Sequence, residues 1–145
     1  MQVDATLIEH LMNPKNYGAM NDADAQGVGL NPDNGEKVVV YLRMNRSEEV
    51  PFIEEISFEA IGCTTTIVAG SMLTEEAKGL SIKGVRNMVA ATMQLLDTLP
   101  PEEAACSEMV ALGILAAVDT YEEGKEPPLA YVIQKTCEPK EEDKA

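Results

Sequence analysis

Three cysteines, Cys63, Cys106 and Cys137, and one histidine, His10, are the thiol and imidazole groups of this 145-residue chain. Cys63 follows Gly62 where a strand pattern gives way to a helical one. A thiol at a helix N-terminus has its thiolate favoured by the helix dipole. Thiolate is the form that binds metal or attacks sulfur. Cys106 precedes a second helical pattern, so the same argument applies there, and two cysteines at helix starts coincide less readily by accident than one. Free cysteine is also a small buried apolar residue, and at Cys63 both readings stand. Asn34-Gly35-Glu36 is a third candidate segment. Gly35 lets the backbone turn tightly and aim its neighbours at one point. Glu36 offers an oxygen ligand or a proton acceptor, and Asn34 a weak neutral donor. By chemistry alone this triplet reads more simply as a turn before a strand. Cys137 reads as an incidental tail cysteine and His10 as a structural residue. An odd, sparse set of cysteines is a poor disulfide framework. In a reducing cytosol such residues are buried, reactive or metal-ligating.

The elements that must position these groups follow from periodicity. Residues 4–12 predict a short helix capped by Asp4, with Leu7 and Leu11 one turn apart and Asn13-Pro14 as its stop. Residues 13–35, rich in Asn, Asp, Gly and Pro, predict a long loop. Lys37 to Met44 predicts a strand with Val38, Val40, Leu42 and Met44 on one face. A second strand, with Ile56, Phe58 and Ala60 on one face, completes an antiparallel hairpin. A helix runs from about Thr64–Thr66 to Lys78 and stops at Gly79. The next is capped by Ser81, carries Val85, Met88, Val89, Leu95 and Leu96 on one stripe, and ends before Leu99-Pro100-Pro101. The last helix runs from about Ser107 to Glu123, with Val110, Ile114, Ala117 and Tyr121 inward and Gly124 closing it. Leu129 to Ile133 fits either a strand or one helical turn. The charged tail from Glu138 to Ala145 predicts disorder. Strands grouped before helices predict an α+β fold. Residues 1–124 form the expected domain and 125–145 a C-terminal extension.

The formal net charge of −14 argues against nucleic acid, whose phosphates are bound by Lys and Arg, and against anionic membrane surfaces. It permits a basic protein partner or a cation, and it also serves plain solubility. The N-terminus lacks a signal-peptide pattern, and no apolar run approaches the ~20 residues of a membrane span. The expectation is a cytoplasmic protein.

The candidate segments, in their order, resemble the NifU-like (Isc-type) family of scaffolds on which iron–sulfur clusters are assembled before transfer. The resemblance starts at Ile8-Glu9-His10 and Asn13-Pro14-Lys15-Asn16-Tyr17-Gly18. It continues through Asn34-Gly35-Glu36, where the family usually has Cys-Gly-Asp, and through Phe58-Glu59-Ala60-Ile61-Gly62-Cys63, Ala69-Gly70-Ser71, Thr74-Glu75 and Lys78-Gly79. It ends with Leu99-Pro100-Pro101 followed by Cys106. The resemblance implies a small antiparallel sheet packed against several helices. It implies a site of three cysteines and an aspartate around a cluster or a zinc ion, often with a histidine before the last cysteine. Cys63 and Cys106 correspond to two of those cysteines. Glu36 stands for the aspartate, Asn34 for the first cysteine, and Ala105 for the histidine. A metal site needs about four donors, and thiolates are what select iron–sulfur clusters. The resemblance thus implies Cys63, Cys106 and Glu36 as metal donors, with Asn34 among the residues that bind the cofactor. Retention is expected to be weaker than in a typical member unless another subunit of a homodimer, a partner or Cys137 completes the site.

The implied cargo is iron or an iron–sulfur cluster, of the [2Fe-2S] type, with zinc as an occupant of the isolated protein. The implied partners are a cysteine desulfurase and apo-protein clients. Leu99-Pro100-Pro101 is similar to the family's chaperone-recognition stretch, but Glu102-Glu103 put negative charge where a lysine is typical, which counts against chaperone docking. Two functions follow. The first is a scaffold or carrier that receives sulfur from the desulfurase. The second is a diverged, non-assembling member that binds a desulfurase or another assembly protein as regulator or sulfur acceptor. An enzyme is not expected, because His10 is far in sequence from either cysteine and forms no evident nucleophile–base pair.

Overall fold

Strict alternation in Glu36–Asn45 builds the central strand β2. Val38, Val40 and Leu42 are fully buried on one face, and Met44 nearly so. In the computed structural model, the described residues are 9, 12–32, 35–61, 64–98, 101–124 and 128–133. The predicted first helix falls almost wholly outside them, as does the acidic tail. Strand β3, Phe52–Ile61, pairs antiparallel with β2 and sets Phe58 opposite Val40 and Ile56 opposite Leu42. The predicted hairpin is therefore present, with its apolar faces aligned.

The predicted long loop is corrected. Within it, Ala25–Asn31 forms strand β1, antiparallel to β2, with Gly27 opposite Val40 and Gly29 opposite Val38. The two glycines look like chain breakers, yet each sits where helix backbone lies against the strand. A Cβ at Gly27 would come within 2.1 Å of the Ala117 nitrogen, and one at Gly29 within 2.1 Å of the Met109 carbonyl oxygen. Glycine inside a strand marks such close approach.

Three helices follow the hairpin: α1, Thr64–Ala77; α2, Ile82–Leu96; and α3, Pro101–Glu123. Gly79, at φ 87°, ends the turn after α1. Ser81 caps α2, its hydroxyl accepting from the Gly84 amide at 3.1 Å. Helix α3 begins at Pro101 rather than near Ser107, a second correction. Proline is preorganised for the first helical position, where its missing N–H costs nothing. Gly124, at φ 65°, closes the helix as expected. A third correction concerns apolar runs. Ala104–Glu123 has the length and composition of a membrane span, but 67% of its window is buried inside the protein. Val110, Ile114 and Ala117 are fully buried in the one core it shares with the sheet. It is the central helix, apolar because it is covered.

Leu129–Val132 resolves as strand β4, parallel to β1, and the sheet order is β3-β2-β1-β4. The class is α+β. The sheet is antiparallel across its first three strands and gains one parallel pair at the edge, because α3 carries the chain back over one face before β4 begins. Ile133 behind it is buried in the core.

Arg86 on α2 bridges Asp119 and Glu122 on α3, and Asp119 also accepts from the Tyr131 hydroxyl of β4 at 2.5 Å. Burial first, and then that bond, push the Tyr131 pKa from 10.0 up to about 12. The fold therefore favours the neutral phenol. Its contribution is fully present below pH 10 and is lost as the pH rises through 12. The denaturation midpoint is expected to fall over this interval less steeply in Tyr131→Phe than in the wild type. Equal slopes would remove Tyr131 as a contributor. Tyr41, raised to about 12 by burial and Glu59, would keep its own share in both proteins.

Candidate functional site

Register brings the candidate segments to one end of the sheet. Glu36 opens β2 and lies opposite Asn31, the last residue of β1. Lys37, next to it, lies opposite Ile61, the last residue of β3. Gly62-Cys63 is the stretch of sequence between Ile61 and Thr64, where α1 starts. Helix α3 reaches the same end. Its Ala116–Ala117 backbone rests on Gly27 and its Met109 backbone on Gly29, so it runs antiparallel to β1. Continuing that direction takes its N-terminal turns, with Ala105 and Cys106, toward Asn31 and Glu36.

Two of the four expected residues are thus on view. Glu36 is half-buried at the start of β2. Cys106 is reduced and half-buried in α3. Cys63 and Asn34 lie outside the described residues, as do His10 and Cys137. Among the described residues no group of three His, Cys, Asp and Glu side chains could by itself hold a metal ion. The helix-start argument for Cys106 is corrected along with the helix boundary. Cys106 lies within the second turn of α3, and the dipole's effect falls off beyond the first. Its value as a donor rests on its thiol and its place at this end.

Three polar residues near this end escaped sequence reasoning. Asn31 is 3% exposed, Thr66 fully buried and Glu108 2% exposed. Each is engaged by a neighbour. Asn31 was hidden with the unrecognised strand β1. Glu108 had a signal: it is a lone carboxylate followed by Met109-Val110-Ala111 on the buried stretch of α3. Long charged side chains are almost never fully buried without a partner. Beside this end, α1 and α2 enclose an open apolar groove of about 710 Å³, with Ser107, next to Cys106, on its wall. Met72 and Leu95 line it and are 40% and 64% exposed.

This end carries a thiol, Cys106, and a carboxylate, Glu36, on two elements that both pack against β1. A family model described as the NifU-like N terminal domain matches residues 2–127. The chain is 32% identical over 116 residues to the iron–sulfur cluster assembly scaffold protein IscU 1 of Archaeoglobus fulgidus, covering 79% of this chain and 73% of that one. It is 30% identical, over the same shares, to the iron–sulfur cluster assembly scaffold protein IscU of Aquifex aeolicus. Among solved structures, the N-terminal part of a nitrogen-fixing NifU-like protein from Brucella abortus superposes with a TM-score of 0.70. That match covers 84% of this chain and 95% of the other at 16% identity, and it speaks for the fold.

Proposed function

Because the chain belongs to the family of the NifU-like N-terminal domain, we propose that it is an iron–sulfur cluster assembly scaffold or carrier acting in a reducing cytoplasm. The observation that carries this reading is the meeting of the start of β2, the end of β3 and the first turns of α3 at one end of the sheet. Cys63, Cys106 and Glu36 would hold iron or a cluster as cargo, with Asn34 alongside. Sulfur would arrive from a cysteine desulfurase. A thiolate of Cys63 or Cys106 attacks the terminal sulfur of the donor's persulfide, the donor's sulfur–sulfur bond breaks, and the donor cysteine leaves as thiolate. The scaffold cysteine then carries the persulfide. Its conversion to sulfide takes two electrons from a thiol or ferredoxin-type reductant. The protein supplies the docking thiols and holds the product, so it acts as a carrier and not as a catalyst of turnover.

Two thiolates and one carboxylate fall short of the about four donors of a closed site. Retention should therefore be weak, which suits a cargo meant to leave. The test is anaerobic incubation with ferrous iron, cysteine and a cysteine desulfurase, followed by removal of excess reagents. Iron, acid-labile sulfide and the visible spectrum are then measured. Iron and sulfide in equal amounts with charge-transfer bands are expected. Asn34→Cys is expected to hold them about tenfold longer against a chelator, since one added thiolate contributes at least as much as an outer-shell partner. A folded protein that retains neither iron nor sulfide, in both forms, would favour a non-assembling partner of the desulfurase.

A further inference from the structure

Single apolar residues on a protein surface ask for no explanation. Met72 on α1 and Leu95 on α2 do not stand singly. They are 40% and 64% exposed and line the same open groove. Leu95 belongs to the apolar stripe of α2 read from its sequence, and Met88 and Leu96 of that stripe, which share the lining, are buried. Leu73 and Leu80 continue the lining on the side of α1.

The shape of the groove selects its occupant. Its α2 wall runs from Gly84 to Leu96, a rise of about 18 Å and so about three helical turns. Its volume of about 710 Å³ would hold a small ligand, but sites for such ligands enclose roughly 70–90% of the surface they bind, and this groove is open along its length. Both long walls are helices, whose main-chain N–H and C=O groups are paired within each helix. An extended peptide would find no ladder partners there, whereas a helix brings its own hydrogen bonds. Met72 and Met88 are flexible enough to fit their shape to an apolar helix face.

Charge narrows the choice further. Among the described residues that line the groove, Glu76 is the one ionisable side chain, and it is exposed. The cations of α2 and of the turn after α1 lie off the lining. Arg86 bridges Asp119 and Glu122, Lys78 donates to Asn16 Oδ1 at 3.0 Å, and Lys83 is likewise absent from the walls. The chain as a whole carries a formal charge of −14. A second copy would bring the same charge and be repelled, whereas a basic partner is drawn in.

We propose that the groove between α1 and α2 is the docking site for an amphipathic helix of a partner protein. That helix is about three turns long, with an apolar stripe that covers Met72 and Leu95 and with Lys or Arg beside the stripe facing Glu76. Ser107 carries the lining to the residue next to Cys106, so the docked helix would lie beside that thiol. The docking itself does not rest on the scaffold reading.

The test uses the full chain and a fluorescent synthetic peptide of about eighteen residues, made of leucine and lysine with leucine on one helical stripe. A peptide of the same composition with its leucines spread around the helix is the control. Binding is followed by fluorescence anisotropy at about 0.15 M salt, where exposed charges more than ~8 Å apart are largely screened. Saturable binding of the amphipathic peptide alone is expected. Leu95→Glu and Met72→Glu should each weaken it by about tenfold or more, since each removes one apolar side chain from the contact. Glu76→Lys should weaken it by about two- to fivefold, as loss of a surface ion pair does. Glu49→Lys makes the same charge change in the exposed turn between β2 and β3 and should leave the affinity unaltered. Circular dichroism checks that each variant is folded. Should a glutamate at either apolar position unfold the chain, Leu95→Ala is expected to weaken binding by about threefold or more. Equal binding of the two peptides, or a loss in Glu49→Lys as large as in Glu76→Lys, would reduce the effect to general acidity and overturn the proposal. Absence of saturable binding would overturn it too. A dimer of the free chain that Leu95→Glu dissociates, seen by sedimentation, would give the groove to a second copy instead.

Discussion

Cys106→Ser is expected to abolish retained iron and sulfide while leaving the protein folded. The packing of α3 is borne by Val110, Ile114 and Ala117, all fully buried. Cys106 is only half-buried. Serine preserves its size, so the stability change should stay within about 1 kcal/mol. What serine removes is the chemistry. A thiol can give up its proton and offer a thiolate to soft metals, whereas a hydroxyl stays neutral and hard. With two thiolates at most in the set, losing one leaves a single soft donor. Iron and sulfide per chain should fall by about a hundredfold or more, beyond the roughly 10–100-fold that loss of an outer-shell partner costs. Cys63→Ser should do the same. The double comparison matters because the two cysteines come from distant parts of the sequence. Loading unchanged in both variants would sink the proposed site, and loading lost in only one would make the other cysteine the incidental buried thiol.

Gly29→Ala is expected to add one of the most damaging single methyl groups in the fold. The added Cβ would meet the Met109 carbonyl oxygen at 2.1 Å. That neighbour is main chain within a helix and has no rotamer to change. Overpacking against side chains costs about 1–3 kcal/mol. Against backbone the upper end is the expectation, so about 3 kcal/mol and a melting temperature lower by roughly 6–12 °C for a chain of this size. Relief can come only by lifting α3 from β1, which moves Cys106 away from Glu36. Cluster retention should therefore fall with stability. Gly70→Ala is a useful contrast, since the colliding atoms there belong to the Phe58 ring and a side chain can yield in part. Thermal denaturation of the three proteins decides it. A Gly29→Ala variant within about 1 kcal/mol of wild type would mean that α3 does not bear on the strand as described.

Much of the hairpin was legible because its signal is local. In β2 the alternation of Val38, Val40, Leu42 and Met44 needs no partner to be recognised, and Ser81 and Gly79 punctuate the helices by their own conformational preferences. The order of Asn34-Gly35-Glu36, Gly62-Cys63 and Leu99-Pro100-Pro101 with Cys106 was legible as a resemblance, and the family itself is borne out by the domain match. Strand β1 was not legible. Its Gly27 and Gly29 are there for the backbone of a helix about eighty residues later, and nothing near them in sequence announces it. The start of α3 was misplaced because two prolines read as a stop, when the second opens a helix. Asn16 was quoted as part of a motif, but its hydrogen bonds to Phe58 of β3 and to Thr74 of α1 exist only once those elements lie side by side.

By itself, the sequence determined the periodic elements, the acidic surface and the residue types able to hold iron and sulfur. The tertiary structure decided that β1 and β4 join the sheet, that α3 is a covered core helix, and that Glu36 and Cys106 belong to one end. The physical reason is that periodicity and capping are set by neighbours a few residues apart. Register, close backbone contact and the direction of a helix across a sheet are set by residues that meet only after the chain has closed on itself.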